Sequence, residues 1–276
     1  MLQDLTIIIP TRERHDYIFR QIEYWKNENV KLIILDQSKS PLPQNNLFLS
    51  DNIKYYHFLN KNLFERISFA SSLITSEYAI YLPDDEFLIP KTLSRCINFL
   101  DKNKDYVSCA GRSIEFSIKN RIVARNIYEN LNDFDINFDD PYERTLNLAH
   151  PYKFQPIHSV SKSDVWKDVS KILLKCKDLP PDMFELLFGF TAAYLGKLKV
   201  INELMNLRSN ENPPVDTIDW NQKFLAPKWF YSLNHKSEIE SFLNALDEIE
   251  LPNFKNSIIM GINSYCLNFL INEKSY

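Results

Sequence analysis

Along the first hundred residues, apolar and polar positions alternate between two periods. The runs at 5–10 (LTIIIP) and 30–35 (VKLIIL) are short, β-branched and almost free of polar side chains, as expected of strands covered on both faces of a parallel sheet. Between them DYIFRQIEYWKN places Ile18, Ile22 and Trp25 on one helical stripe, which predicts a βαβ unit. Residues 53–59 (IKYYHFL) predict a third strand, 63–75 (LFERISFASSLIT) a helix, and 78–82 (YAIYL) a fourth strand that ends at Asp84, Asp85 and Glu86. Pro90 suits a first helical position and opens a helix through KTLSRCINFLDKN. This rhythm predicts an α/β fold: an open, mostly parallel sheet with helices on its faces.

Past residue 105 the pattern changes. YVSCAGRSIEFSI and RIVARNIY read as longer strands of antiparallel type, followed by an acidic, Asn-rich connection, NLNDFDINFDDPYER. SDVWKDVSKILLKC reads as a helix leading to PPDMFELLFGFTAAYLG and then to a strand, KLKVINELM. Residues 208–219 read as a polar loop, and 220–276 carry helical patterns such as IESFLNALDEI, with no internal repeat.

Composition removes several function classes. A formal net charge of −4 on 276 residues argues against a broadly basic nucleic-acid surface. With only four glycines in the chain, neither a GxGxxG fingerprint nor a P-loop can be written. The four cysteines, Cys96, Cys109, Cys176 and Cys266, are far apart and form no CxxC pair, so they read as reduced core thiols rather than a zinc site or a disulfide framework. The opening MLQDLTIIIPTRER reads as a strand rather than a signal peptide, and no apolar run approaches the roughly eighteen residues of a membrane helix. A cytoplasmic chain without a membrane span is expected.

The candidate chemistry sits where strands stop. In an open parallel sheet ligands bind beyond the carboxyl ends of the strands, and three of these end in polar clusters: Pro10 to Arg14, Asp36 to Ser38, and Asp84 to Glu86. Adjacent carboxylates repel, and a hard divalent cation, Mn²⁺ or Mg²⁺, relieves that repulsion while taking the rest of its shell from substrate oxygens. Such a cluster suits a metal diphosphate.

In IIIPTRER, LIILDQS and YLPDDEF the chain resembles the inverting glycosyltransferases of family 2, which have the GT-A fold. The resemblance is close over residues 4–100 and looser over 105–205. It implies a Rossmann-like, mostly parallel sheet with flanking helices, a nucleotide-sugar-binding half at 1–104 and an acceptor-binding half at 105–207; residues 208–276 fall outside the resemblance and read, by their own pattern, as a helical C-terminal extension. It also implies metal-dependent transfer of a sugar from a nucleotide-diphosphate donor, a UDP-sugar, to a hydroxyl of a glycan or lipid-linked acceptor; the charge and apolar patterns above add no nucleic-acid partner and no membrane span, and leave peripheral membrane contact open. By position, Thr11, Arg12 and Glu13 match the nucleotide-binding loop and Asp36 the acid that contacts the base. Arg66 stands near the family's nucleotide-contacting arginine, although the usual Ala-Arg-Asn-x-Gly element is missing. Asp84 resembles the ribose or metal-shell acid, Asp85 or Glu86 the direct metal ligand, and Asp182 in LPPDMFELLFGF the general base.

Each assignment has a structural competitor. The acidic triplet also suits a solvated turn, Asp36 an Asx-type turn, and Arg12 or Arg14 a surface ion pair. Asp182, with Glu185 three places on, also reads as a helix cap with capping-box character. His150, His158, Tyr152, Phe154 and Trp166 read first as structural residues. Two other functions fit the same sheet: a sugar nucleotidyltransferase, disfavoured because the loop after the first strand lacks glycine, and a catalytically inactive GT-A-like binding module.

Overall fold

The computed structural model describes residues 2–43, 51–117, 123–128, 131–132, 134–176, 179–209 and 226–273. One sheet runs through both halves, in the order β3-β2-β1-β4-β9-β6-β10-β5, with β7 paired to β6 and β8 to β10. Its strands are β1 (Leu5–Thr11), β2 (Lys31–Asp36), β3 (Ile53–His57), β4 (Tyr78–Tyr81), β5 (Phe87–Leu88), β6 (Tyr106–Ser117), β7 (Val123–Asn126), β8 (Asp135–Ile136), β9 (Val160–Lys162) and β10 (Lys197–Ser209). The helices are α1 (His15–Trp25), α2 (Leu63–Leu73), α3 (Pro90–Lys102), α4 (Pro141–Ala149), α5 (Ser163–Leu173), α6 (Pro181–Leu195), α7 (Ala226–Phe230), α8 (Lys236–Asp247) and α9 (Phe254–Glu273).

Period-two alternation divides the core between the two faces of the sheet. Ile7, Ile9, Leu32, Ile34 and Ile80 pack with Ile18 and Trp25 of α1 and with Leu93 and Ile97 of α3. Ile8, Ile33, Leu35 and Ala79 face Ile67 of α2, Trp166 of α5 and Phe188 of α6. Trp166 is fully buried, stacks obliquely on Phe188 with centroids 4.6 Å apart, and donates its indole N–H to the Ala79 carbonyl at 3.3 Å. It is a core residue, and so is Phe154. The C-terminal helices extend the second layer, with α9 packed on α4 and α6 and α8 on α5.

β1 runs parallel to β2 and β4, and β2 to β3, with Thr11 opposite Asp36 and Asp36 opposite His57. These carboxyl ends therefore share one edge. The antiparallel reading of the second half holds for the β6–β7 hairpin, whereas β6 and β10 pair with each other in parallel. The connection at 130–144 holds two elements that alternation did not mark, β8 and the start of α4. The latter is capped by Asp140, whose side chain accepts the Tyr142 N–H at 2.6 Å. Helices α2 and α4 to α9 all contribute to the core on the second face, and α6 is anchored at its far end by Arg144, which donates to the Ala193 and Tyr194 carbonyls at 2.6 and 2.7 Å. Most of the predicted loop at 208–219 lies outside the described residues. No described helix is long and apolar enough to cross a membrane.

Gly111 sits where β6 meets the irregular part of β10. A Cβ there would lie 2.5 Å from the Glu203 carbonyl oxygen and 2.6 Å from the Met205 Cβ, so backbone must move. Gly111→Ala is expected to destabilise the chain by about 1–3 kcal/mol, read as a lower urea midpoint; an unchanged midpoint would show that β10 yields freely.

Candidate active site

The turn after β4 is fixed from three sides. Gln21, fully buried on the core stripe of α1, donates its amide to the Asp84 and Glu86 carbonyls at 3.0 and 2.6 Å and accepts the Trp25 indole N–H at 3.0 Å. From β1, the Thr11 hydroxyl donates to Asp84 Oδ2 at 2.7 Å. From the same loop, the Arg14 guanidinium spans Asp84 Oδ1 at 2.9 Å and Asp85 Oδ2 at 3.1 Å. Burial pushes the Asp84 carboxyl up, against the hydrogen bond from Thr11 and the charge of Arg14. At Arg14, burial pulls the pKa down, but the charges of Asp84 and Asp85 outweigh it and the group is raised. The more deeply buried partner loses more hydration, so the same pair moves the two groups for different net reasons.

Glu86 turns the other way. It is 3% exposed, and its carboxylate accepts Asn206 Nδ2 at 2.7 Å and Arg208 Nε at 2.5 Å, both from β10. The crowded acids are thus compensated inside the chain, two by Arg14 and one by Arg208, and a solvated turn does not describe them. Asp85 Oδ1 alone among the carboxylate oxygens of the triplet accepts no hydrogen bond from a described residue, and the Asp85 side chain is 16% exposed.

At the ends of β1 and β2 the two loops are tied together. Glu13 adopts a left-handed backbone, φ 54°, costing on the order of 1 kcal/mol for a residue with a Cβ. Its N–H donates to Ser38 Oγ at 2.7 Å and its carboxylate accepts the Lys39 N–H at 2.7 Å, contacts that hold the conformation. Arg12, between Thr11 and Glu13, is exposed at the tip. Asp36 is fully buried: Oδ1 accepts the Ser38 N–H at 2.7 Å, an Asx-type turn, while Oδ2 receives the Tyr55 hydroxyl at 2.6 Å and lies 3.2 Å from His15 Nε2. Burial, and then the bond to Asp36, push Tyr55 above the ordinary phenol range.

Arg66 comes from α2, whose start is fixed by a capping box between Asn62 and Glu65. Its guanidinium donates to the carbonyls of Thr11 and Leu35 at 3.2 and 2.7 Å and to Gln37 Oε1 at 3.0 Å. It is 4% exposed, its Nε has no partner, and no carboxylate among the described residues pairs with it. Burial lowers its pKa to about 10, so at neutral pH it remains a cation held at the strand ends.

Asp182 and Glu185 both stand in the opening turns of α6, but they face different surroundings. Asp182 accepts the N–H groups of Ala226, at the start of α7, and of Met183 at 3.1 Å. Its charge is felt on α9, where burial first and Asp182 next raise Tyr265 and Cys266 to about 12. Glu185 does not close a capping box, because the N-cap position is Pro180 without a side-chain cap. Instead its Oε2 accepts Gln155 Nε2 at 2.6 Å, and Gln155 Oε1 accepts the Tyr128 hydroxyl at 2.7 Å. His158 is buried with its ring 6.0 Å from that of Tyr81 and, by desolvation, is held neutral; His150 is exposed.

The structure therefore brings Thr11, Asp84, Asp85, Asp36 and Arg66 to one edge, with Arg12 and Glu13 at its rim and Glu86 bound back to β10. Asp182 lies toward the C-terminal helices. Sequence reading missed Gln21, Asn206, Arg208, Gln155 and the orientation of Glu185; of these only Gln21, a polar residue inside an apolar stripe, carried a local signal. Among the described residues no group of three or more His, Cys, Asp or Glu is gathered as a preformed metal cage.

Residues 6–160, more than half of the chain, match the model of Glycosyl transferase family 2. Among solved structures, residues 1-349 of S. aureus TarS in complex with UDP-GlcNAc superpose with a TM-score of 0.57 at 13% identity, covering 95% of this chain and 71% of that one. The complex of the same protein with UDP gives 0.55 at 13%, covering 95% and 70%. The 1-349 structure without a named ligand gives 0.52 at 15%, covering 95% and 79%. At such identities the likeness is one of fold. No curated protein gives a significant match.

Proposed function

We propose a reaction for this chain from one premise: the chain belongs to glycosyl transferase family 2. As a member it is a nucleotide-sugar glycosyltransferase. We assign to it a UDP-sugar donor, a hydroxyl acceptor on a glycan or lipid-linked saccharide, and inversion at the anomeric carbon. The observation that carries this reading is the convergence of three strand ends into one network, Thr11 to Asp84, Arg14 to Asp84 and Asp85, and Arg66 across the ends of β1 and β2. The binding of UDP and UDP-GlcNAc by TarS, which shares the fold, supports the choice of uridine.

A divalent cation fits the donor set through Asp85. Mn²⁺ or Mg²⁺ takes hard oxygen ligands and completes its shell from phosphate and water, so one uncommitted carboxylate oxygen is a sufficient protein anchor. Glu86 is a poorer ligand, since reaching a cation would break its bonds to Asn206 and Arg208. When bound, the cation supplies Lewis-acid stabilisation of the departing diphosphate. The chain supplies the rest. Asp84 holds Arg14 beside Asp85, and Arg66 adds a fixed positive charge where the donor anion would lie, in surroundings that screen it poorly. Asp36, fully buried with its oxygens engaged by Ser38, Tyr55 and His15, fixes the turn that ends β2 beside the donor edge.

Incubation with UDP-sugars and Mn²⁺, with UDP release and the anomeric configuration of the product read together, tests the assignment. Release of UDP with inverted product is expected. Retained configuration would contradict inversion, and pyrophosphate release from a nucleoside triphosphate would replace the reading with nucleotidyl transfer.

A further inference from the structure

We infer that Arg14 latches Asp85, and that a donor diphosphate opens the latch by drawing the guanidinium onto its own oxygens, so that a divalent cation and the donor enter the site together. This deepens the reaction proposed above and rests on it.

One nitrogen of Arg14 holds both acids: Nη1 lies 2.9 Å from Asp84 Oδ1 and 3.1 Å from Asp85 Oδ2. The two contacts differ in what supports them. Asp84 is 5% exposed and keeps the Thr11 hydroxyl on its other oxygen at 2.7 Å, so that end of the bridge is braced from β1. The Asp85 side chain is 16% exposed, and its carboxylate accepts no other hydrogen bond from a described residue. The Arg14–Asp85 contact is therefore the one that yields.

Arg14 is also seated independently of the acids. Its guanidinium carbon stands 5.0 Å from the centroid of the Tyr17 ring, and that of Arg20 lies 4.7 Å from the same ring and 4.7 Å from the ring of Phe87 in β5. Turned from Asp85, Arg14 stays on Asp84 and Tyr17 at the mouth of the edge, where its planar fork suits the oxygens of a phosphate.

The guanidinium and a divalent cation compete for one carboxylate. A cation at Asp85 would stand beside a positive charge in surroundings that screen it poorly, unless Arg14 gives way. A diphosphate that engages Arg14 has to detach it from the same carboxylate. Both ligands thus need one and the same change. Whichever binds first bears its cost and the second meets an opened site, so each tightens the other by one common factor. A guanidinium that stayed in place would repel the cation equally with and without nucleotide, and would add nothing to that factor.

The test is a binding cycle on the full chain and on its Arg14→Met and Arg14→Gln variants, the second keeping a donor for Asp84 in case loss of the charge impairs folding. Free Mn²⁺ is followed by electron paramagnetic resonance with and without UDP, the Mn²⁺–UDP complex formed in solution being subtracted, and each preparation is checked by its urea midpoint. In the unaltered chain UDP is expected to tighten Mn²⁺ binding at least about tenfold. In both variants Mn²⁺ is expected to bind the nucleotide-free protein at least about fivefold more tightly, and the factor linking the two ligands to fall at least about fivefold. A factor unchanged to within about twofold in a folded variant overturns the inference even if both affinities rise, because Arg14 is then a static counter-ion. UDP binding that ignores Mn²⁺ in the unaltered chain overturns the cation at Asp85 and the latch with it. Absence of UDP binding under every condition overturns the donor site on which both rest.

Discussion

Asp85→Asn is expected to reduce UDP-sugar turnover by roughly 10²–10³-fold and to abolish any tightening of UDP binding by Mn²⁺. The substitution keeps the size of the side chain and removes the charge, and the fold should survive because Asp84 retains Thr11 and Arg14. The effect falls on Asp85 because its Oδ1 is the carboxylate oxygen that the described residues leave unused. Glu86→Gln makes the contrast. Its partners are Asn206 and Arg208, so the variant should keep its Mn²⁺ response. Calorimetric titration of UDP with and without Mn²⁺ into both variants decides the matter, and a response lost in Glu86→Gln but kept in Asp85→Asn would exchange their roles.

The second large effect is on stability. Arg208→Met should cost about 2–3 kcal/mol, somewhat below the roughly 3–5 kcal/mol of removing one partner of a fully buried ion pair, because the Arg208 side chain is itself 36% exposed while that of Glu86 is 3% exposed. The loss comes mainly from leaving a charged carboxylate in the interior with only Asn206 beside it. Combining Arg208→Met with Glu86→Gln removes that charge and should recover most of the loss. Urea unfolding of the two single variants and the double variant closes the cycle. If both single substitutions prove neutral, the Glu86–Arg208 pair does not join the acidic turn to β10.

What could be read in the chain beforehand follows the range of each interaction. Runs such as LTIIIP and YAIYL declare strands because burial on two faces demands a continuous apolar sequence, and parallel pairing then places their ends together. Thr11, Asp36 and Asp84 were therefore placed at one edge from local pattern. The partners that define the roles of the acids lie far off: Asn206 and Arg208 are 120 and 122 positions from Glu86, and no periodicity reports a contact of that span. Glu185 illustrates a different limit. Its spacing from Asp182 matches a capping box, yet Pro180 takes the N-cap position and the carboxylate is drawn to Gln155, 30 positions away. α4 was hidden for a third reason. It begins inside an acidic, Asn-rich stretch whose polarity suggested a connection, although Asp140 followed by Pro141 is a helix start.

In the proposed reaction the edge formed by β1, β2 and β4 binds a UDP moiety with the help of a divalent cation at Asp85. Titrating UDP into the full chain by calorimetry, first with Mn²⁺ and then with EDTA, addresses it most directly. One site is predicted, weakened at least tenfold (about 1.4 kcal/mol) by EDTA. No binding under either condition would contradict the claim.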